Sequence, residues 1–225
     1  MNLKDWKGCA RPAADRFEGR TVLLERLEPG RHGAALFEAS NQPGAEARFR
    51  YLGETGTGDR ERFQTWLQQA AASADPLFYA VIDKASGKVC GRQTLMRIDA
   101  ANGVVEIGNI LWNPGVAGTT AATEALYLFA RHVFDDLGYR RFEWKCNDRN
   151  EPSKRAALRF GFQFEGVFRQ HMVVKGENRD TAWFSMIDRD WPALRAGYEA
   201  WLSADNFDAQ GRQKQRLGEM IAAVR

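Results

Sequence analysis

An α+β fold is predicted for these 225 residues, and three features predict it. Three apolar, β-branched runs before residue 112 are separated by turns of only a few residues, the pattern of an antiparallel meander. Beyond residue 112 the order becomes loop, long amphipathic helix, strand, and a crossover helix between the runs at 104–112 and 139–146 makes those two strands parallel neighbours. The composition, 44% hydrophobic and 27% charged, is that of one ordinary globular unit.

Residues 1–19 read as an irregular arm: Gly8, Pro12 and Gly19 interrupt any period, only Trp6 and Phe17 offer anchors, and loose packing is expected. RTVLLERLEP, from Arg20, is a strand with a Pro-Gly stop, and Ala35, Leu36 and Ala39 give RHGAALFEASN a helical spacing. A second helix crosses ERFQTWLQQAAAS, where Phe63, Trp66, Leu67 and Ala70 repeat at threes and fours behind an Asp59 cap. PLFYAVID, KVCGRQTLMRID and VVEIGNILW are the meander strands, with turns at 86–88 and 100–103. In AATEALYLFARHVFDDLG the residues Ala122, Leu126, Phe129, Val133 and Leu137 form one core-facing stripe, closed by Gly138. YRRFEWKCN alternates as a strand, EPSKRAALRFG is a short helix stopped by Gly161, and two further strands flank the turn KGENR. Residues 192–225 read as a polar helical tail with a linker at 205–211.

Cys9, Cys90 and Cys146 are odd in number, far apart and without a C-x-x-C or His-spaced partner. That argues against a disulfide framework and against a metal site, and reduced thiols in a cytoplasmic protein are expected. The N-terminal twenty residues carry both signs of charge and no signal-peptide core, and no run approaches the roughly eighteen apolar residues of a membrane span, so no membrane partner is expected. A net charge of +3 is too small for a general nucleic-acid binder. The charge is uneven, however: seven bases stand against three acids between Gly138 and Phe160, which marks either an anion site or a solvated helix face.

Two segments carry candidate chemistry. NPGVAGTTAATEA, 113–125, is a glycine-containing loop running from a strand into the N-terminus of the long helix, where unsatisfied amides and the helix dipole attract anions; it also serves as a plain helix cap. Neither a P-loop nor a dinucleotide fingerprint is present. NDRNEPSKRAALRFGF, 147–162, turns from a strand end into a basic helix, with Asn150 as cap and Ser153 in the first turn. Both helices leave the C-terminal ends of adjacent parallel strands, where α/β sheets place ligands. A further cluster, Gly53, Gly56 and Gly58, precedes a helix, but Asp59 and Glu61 would repel phosphate there.

Together these residues resemble the GNAT acyl-CoA N-acyltransferases, in the branch similar to the bacterial ribosomal-protein N-terminal acetyltransferases, from about Arg20 to Trp191. The family's phosphate loop is written Q/R-x-x-G-x-G/A. Gly115, Gly118 and Thr120 fall on its three defined positions, with departures at Gly115 and Thr120. AATEAL, EIGN, the N-x-x-S of Asn150 and Ser153, and LRFGFQFEG at 158–166 carry the rest of the likeness. The resemblance implies an acyltransferase domain over 20–191 between the arm and the tail, built on a mixed, mostly antiparallel sheet that splays where two parallel strands part. It implies acetyl-CoA as co-substrate, with Ile110, Leu111 and Trp112 beside the pantetheine and Val116, Ala117, Gly118, Thr119, Thr120, Ala121 and Ala122 around the pyrophosphate. Asn150, Ser153 and Arg155 complete that site, and a homodimer is a reasonable assembly.

The chemistry implied is direct attack of a primary amine, on a peptide N-terminus or a small molecule, upon the thioester. By the same resemblance Ser153 protonates the departing thiolate, Asn150 orients cofactor or substrate, and the main chain of Ile110 and Leu111 polarises the carbonyl. Glu106 is the best-placed carboxylate to take the amine proton, with His171 as the other candidate base. An α-amine with a pKa near 8 is about one tenth neutral at pH 7 and needs little help, whereas a lysine amine needs much more. Cys146 lacks a partnered histidine in sequence, which disfavours a cysteine-acyl route. A noncatalytic GNAT-like module that binds CoA or a partner is the alternative.

Overall fold

The computed structural model describes residues 3–224. Strands β1 (Arg16–Glu18), β2 (Val22–Arg26), β3 (Leu77–Asp83), β4 (Lys88–Asp99), β5 (Val104–Trp112), β6 (Arg141–Asn147), β7 (Gln163–Val174) and β8 (Glu177–Ile187) form one sheet in the order β1-β2-β3-β4-β5-β6-β8-β7. Among the described residues only β5 and β6 pair in parallel, joined by the crossover helix α4 (Thr120–Arg131); the other pairings are antiparallel. The meander and the parallel pair therefore stand as the sequence predicts.

The sheet is covered on both faces. In β3, Leu77, Tyr79 and Val81 join the main core, while Phe78 and Ala80 face a second cluster with Leu36, Phe63 and Leu67. Period-two alternation thus buries both sides of the strand. The second cluster comes from α1 (Pro29–Ser40) and α3 (Arg60–Ala72), the latter capped by Asp59, whose carboxylate accepts from the amides of Glu61 and Arg62. On the main face α4 is buried along its length, and its stripe continues through a π-helical turn, His132–Asp136, so Leu137 ends half-buried. A short helix, α2 (Ala45–Phe49), and the glycine-bearing loop after it lie between α1 and α3; neither is signalled by periodicity.

Two expectations need correction. The N-terminal arm is not loosely packed: β1 pairs with β2, Phe17 is buried against Tyr79 and Phe129, and Trp6 Nε1 donates to the Ala101 carbonyl at 2.7 Å. The segment after residue 191 extends the core instead of trailing from it. Helix α6 (Trp191–Leu202) buries Trp191, Leu194, Tyr198 and Trp201, and α7 (Leu217–Val224) adds Leu217 and Ile221. The expected linker at 205–211 is tied down, since the buried Asn206 amide donates to the carbonyls of Trp201 and Gln215. Aromatic spacing at three and four residues was the signal that its polar composition masked.

Candidate active site

The site begins with a bulge. Thr94 on β4 pairs with Gly108 on β5, and Arg92 pairs with Leu111, so Asn109 and Ile110 together oppose the single residue Gln93. Asn109 takes a left-handed φ of 47°, and such an extra residue bends the strand. On the other edge of β5, pairing with β6 ends at Ile107 and Trp144. Beyond those residues the parallel strands part, and a cavity of about 280 Å³ opens between them.

Ser153, Asn150, Glu106 and Ile110 all line this cavity, so the structure brings these four expected site residues together. Helix α5 (Glu151–Arg159) starts at the gap, with Asn150 as its cap: the Asn150 side-chain oxygen accepts from the Ser153 amide at 3.2 Å. The Ser153 hydroxyl oxygen accepts from Trp144 Nε1 at 3.0 Å. Indole is a donor only, so the hydroxyl proton of Ser153 is left free to donate. Cys146 is a second neighbour of Ser153, and burial pushes its thiol pKa up, opposite to the depression a nucleophilic cysteine requires.

Glu106 is a buried ion-paired carboxylate, 3% exposed, and not the surface group that a strand position suggests. Its Oε2 lies 2.8 Å from Arg97 Nη1 and 3.0 Å from Lys145 Nζ. Oε1 takes no hydrogen bond from the described residues and lies beside Gly108 at the cavity wall. His171 bonds Thr181 through Nδ1 at 3.0 Å and packs near Trp183. Desolvation and the nearby cations Arg179, Arg97 and Lys145 lower its pKa, so its ring is neutral at pH 7.

The remaining expected cofactor residues lie apart from this cavity. Leu111 is a core residue back in the ladder, and Trp112 packs near Phe160; neither lines the gap that Ile110 lines. Val116, Thr119, Thr120 and Ala121 border a separate groove of about 750 Å³, together with Arg20, Lys84 and Lys88. Ala122 is fully buried, and Ala117 and Gly118 are exposed, Gly118 with a left-handed φ of 81°. Thr119 caps nothing with its side chain, donating instead to the Val116 carbonyl at 2.7 Å. The first-turn amides of Thr120 and Ala121, on the groove wall, therefore remain open to an anion. Arg155 is exposed on α5 and lines none of these spaces.

The basic run 138–160 is also not one patch. Arg141 pairs with Glu143 and Glu165, Lys145 with Glu106 and Glu143, Lys154 with Asp148 and Glu151, and Arg159 donates to Thr123. Strand alternation and helix pitch send these side chains to different faces. The cations beside the open amides come instead from Arg20, Lys84 and Lys88.

A family model described as an acetyltransferase (GNAT) domain matches residues 21–163. The chain belongs to the GNAT acetyltransferase family. A solved GCN5-related N-acetyltransferase from Brucella melitensis is 58% identical, with a TM-score of 0.96 over 98% of this chain and 100% of that one. Two curated relatives are each 31% identical: the uncharacterised N-acetyltransferase p20 of Bacillus licheniformis, over 50% of this chain, and YdaF of Bacillus subtilis (strain 168), named provisionally as a ribosomal N-acetyltransferase, over 47%. The matched region spans 63% and 57% of those two proteins, respectively. The mixed sheet with its one parted parallel pair is thus a GNAT sheet.

Several residues in and beside this cleft escape sequence reading. Arg92, in the apolar strand KVCGRQTLM, is 1% exposed, ion-pairs with Glu54 and donates to the Asn109 carbonyl at 3.1 Å. A lone arginine in such a strand is a signal of a buried charge that must find partners. Arg48, Arg97 and Arg179 also line the cleft, from three distant segments, and no local pattern announces them.

Proposed function

We propose that this GNAT domain moves an acetyl group from acetyl-CoA directly to a primary amine, a protein N-terminal α-amine or that of a small molecule. The observation that carries the reading is the convergence of Ser153, Asn150, Glu106 and the bulged residues Asn109 and Ile110 on one cavity at the gap between β5 and β6. The open first-turn amides of α4, with Lys84 and Lys88 nearby, suit the pyrophosphate, and acetyl-CoA supplies an activated thioester.

In this mechanism Ser153 holds its proton toward the leaving sulfur, because Trp144 occupies its oxygen as a donor. The main chain at Ile110 polarises the carbonyl. Glu106 Oε1 takes the amine proton directly or through a water, while Arg97 and Lys145 fix the carboxylate. Those cations act on the acceptor too: like charge disfavours an ammonium, so the amine loses its proton more readily here than in water. Nothing in the scheme requires a covalent enzyme intermediate, in keeping with the protonated state of Cys146.

Isothermal titration tests the first step. Acetyl-CoA is expected to bind saturably and dephospho-CoA more weakly. No binding at millimolar acetyl-CoA would overturn the proposal. Binding without transfer to any amine of a broad panel would identify a noncatalytic module.

A further inference from the structure

The cleft does not end at the reacting groups. A second cavity of about 150 Å³ adjoins the first and shares Tyr51, Asn147, Val174 and Arg179 with it. Its roof is fastened by two bonds: Tyr51 Oη donates to the Arg149 carbonyl at 3.2 Å, and Lys175 Nζ donates to the Phe49 carbonyl at 2.8 Å.

The charge of this combined space is one-sided. Arg48, Arg97, Lys145 and Arg179 line the inner cavity, and Arg50, Arg149 and Lys175 the outer one; the acids are Glu106 and Glu177 alone. The whole chain carries only +3, so the cleft concentrates more positive charge than the molecule has in total. Glu106 is already taken by Arg97 and Lys145. Among the described residues no carboxylate lies within ion-pair distance of Arg48, Arg50, Arg149, Lys175 or Arg179, whose contacts are to carbonyls, a hydroxyl or a ring.

Arg179 is the telling member. It is half-buried on the wall common to both cavities, and its single side-chain hydrogen bond runs from Nε to Thr181 Oγ1 at 3.2 Å. Among the described residues neither terminal nitrogen has a hydrogen-bond or ion-pair partner. Burial, and after it the neighbouring Arg97, lower its pKa against the opposing pull of Glu106. A planar guanidinium in that setting fits a carboxylate or phosphate through two parallel bonds. The phosphate-loop residues 115–122 line neither cavity, so this excess of cations is separate from the groove assigned above to the pyrophosphate.

We propose that the acceptor is an anionic amine, one that carries a carboxylate or phosphate close to its reacting nitrogen, and that Arg179 binds this group while Arg149 and Arg50 draw it in. The inference rests on the acyl-transfer reading and names its substrate class. The same field repels polyamines and other polycationic acceptors.

The test compares acceptors under saturating acetyl-CoA, with thiol release and mass spectrometry as readouts. The panel holds matched peptides Ser-Asp-Asp-Ala, Ser-Ala-Ala-Ala and Ser-Lys-Lys-Ala, together with free aspartate, phosphoethanolamine and spermidine. An anionic member is expected to exceed the cationic ones at least tenfold in kcat/KM, and the best of the three anions separates peptide, amino acid and phosphate sources. In R179Q that preference is expected to fall at least tenfold through KM of the anionic acceptor, with KM for acetyl-CoA within about twofold of the parent. R149Q, at an exposed side chain, is expected to weaken the preference severalfold without disturbing the fold. Equal or better use of the lysine peptide or spermidine overturns the inference and leaves acyl transfer standing, as does an unchanged preference in R179Q. Loss of acetyl-CoA binding by the parent protein would instead defeat the underlying reading.

Discussion

Trp144 Nε1 donates to Ser153 Oγ across 3.0 Å, joining the last residue of β6 that pairs with β5 to the first turn of α5. The bond fixes the serine rotamer and turns its proton away from the indole. Polarised in this way, the hydroxyl is a better donor to a developing thiolate. W144F removes that donor and keeps an aromatic ring among Phe160 and Phe162. A fall of about fivefold in kcat is expected, the kinetic equivalent of roughly 1 kcal/mol, with KM for acetyl-CoA unchanged. Steady-state kinetics at saturating amine check it, and parental kcat would remove the indole from the mechanism.

Cys146 faces the same cavity with its thiol pKa raised, chiefly by burial. It stays protonated at pH 8, so alkylation by iodoacetamide is expected to run more than tenfold slower than for a free thiol. C146A is expected to keep most of the transfer activity. An acetylated Cys146 peptide trapped during turnover would contradict direct transfer.

Arg92 supports the bulge from beneath. Its guanidinium lies 4.7 Å from the Trp66 ring centre, pairs with Glu54 and holds the Asn109 carbonyl, and burial lowers its pKa to about 9. R92M leaves Glu54 and that carbonyl without their donor, and a loss of roughly 3 kcal/mol in stability is expected from urea unfolding. An unchanged midpoint would show that the pair contributes nothing net.

Glu165 gives an acid-dependent term. The Arg141 guanidinium, and secondarily Ser185, hold its pKa below the ordinary 4.5. A carboxylate depressed on folding adds stability above its unfolded value, and that stability is lost as pH falls through the folded one. Tm between pH 6 and pH 3 is expected to drop more steeply in the parent than in E165Q. Parallel curves would mean that the pair is inert.

Much of this architecture is local in origin and hence legible in sequence. The strands at 88–99 and 104–112 have the bounds their apolar alternation and turn residues predict, and Asp59 and Asn150 cap the expected helices. What is not legible depends on register or on distance along the chain. The bulge at Asn109 arises from two-against-one pairing with Gln93, which no window of β5 reveals. Arg48, Arg97, Lys145 and Arg179 meet only after four segments assemble. The run 138–160 misleads in the opposite sense, because adjacency in sequence is not adjacency on a surface when strand and helix turn its cations to different partners.

The most direct test of the account is acetyl transfer by S153A, followed by mass spectrometry of the acceptor at saturating acetyl-CoA and amine. If Ser153 donates the proton to the leaving thiolate, kcat is expected to fall about 100-fold with acetyl-CoA binding within twofold of the parent by titration. Parental kcat in S153A would contradict the assignment of acyl transfer to the gap between β5 and β6.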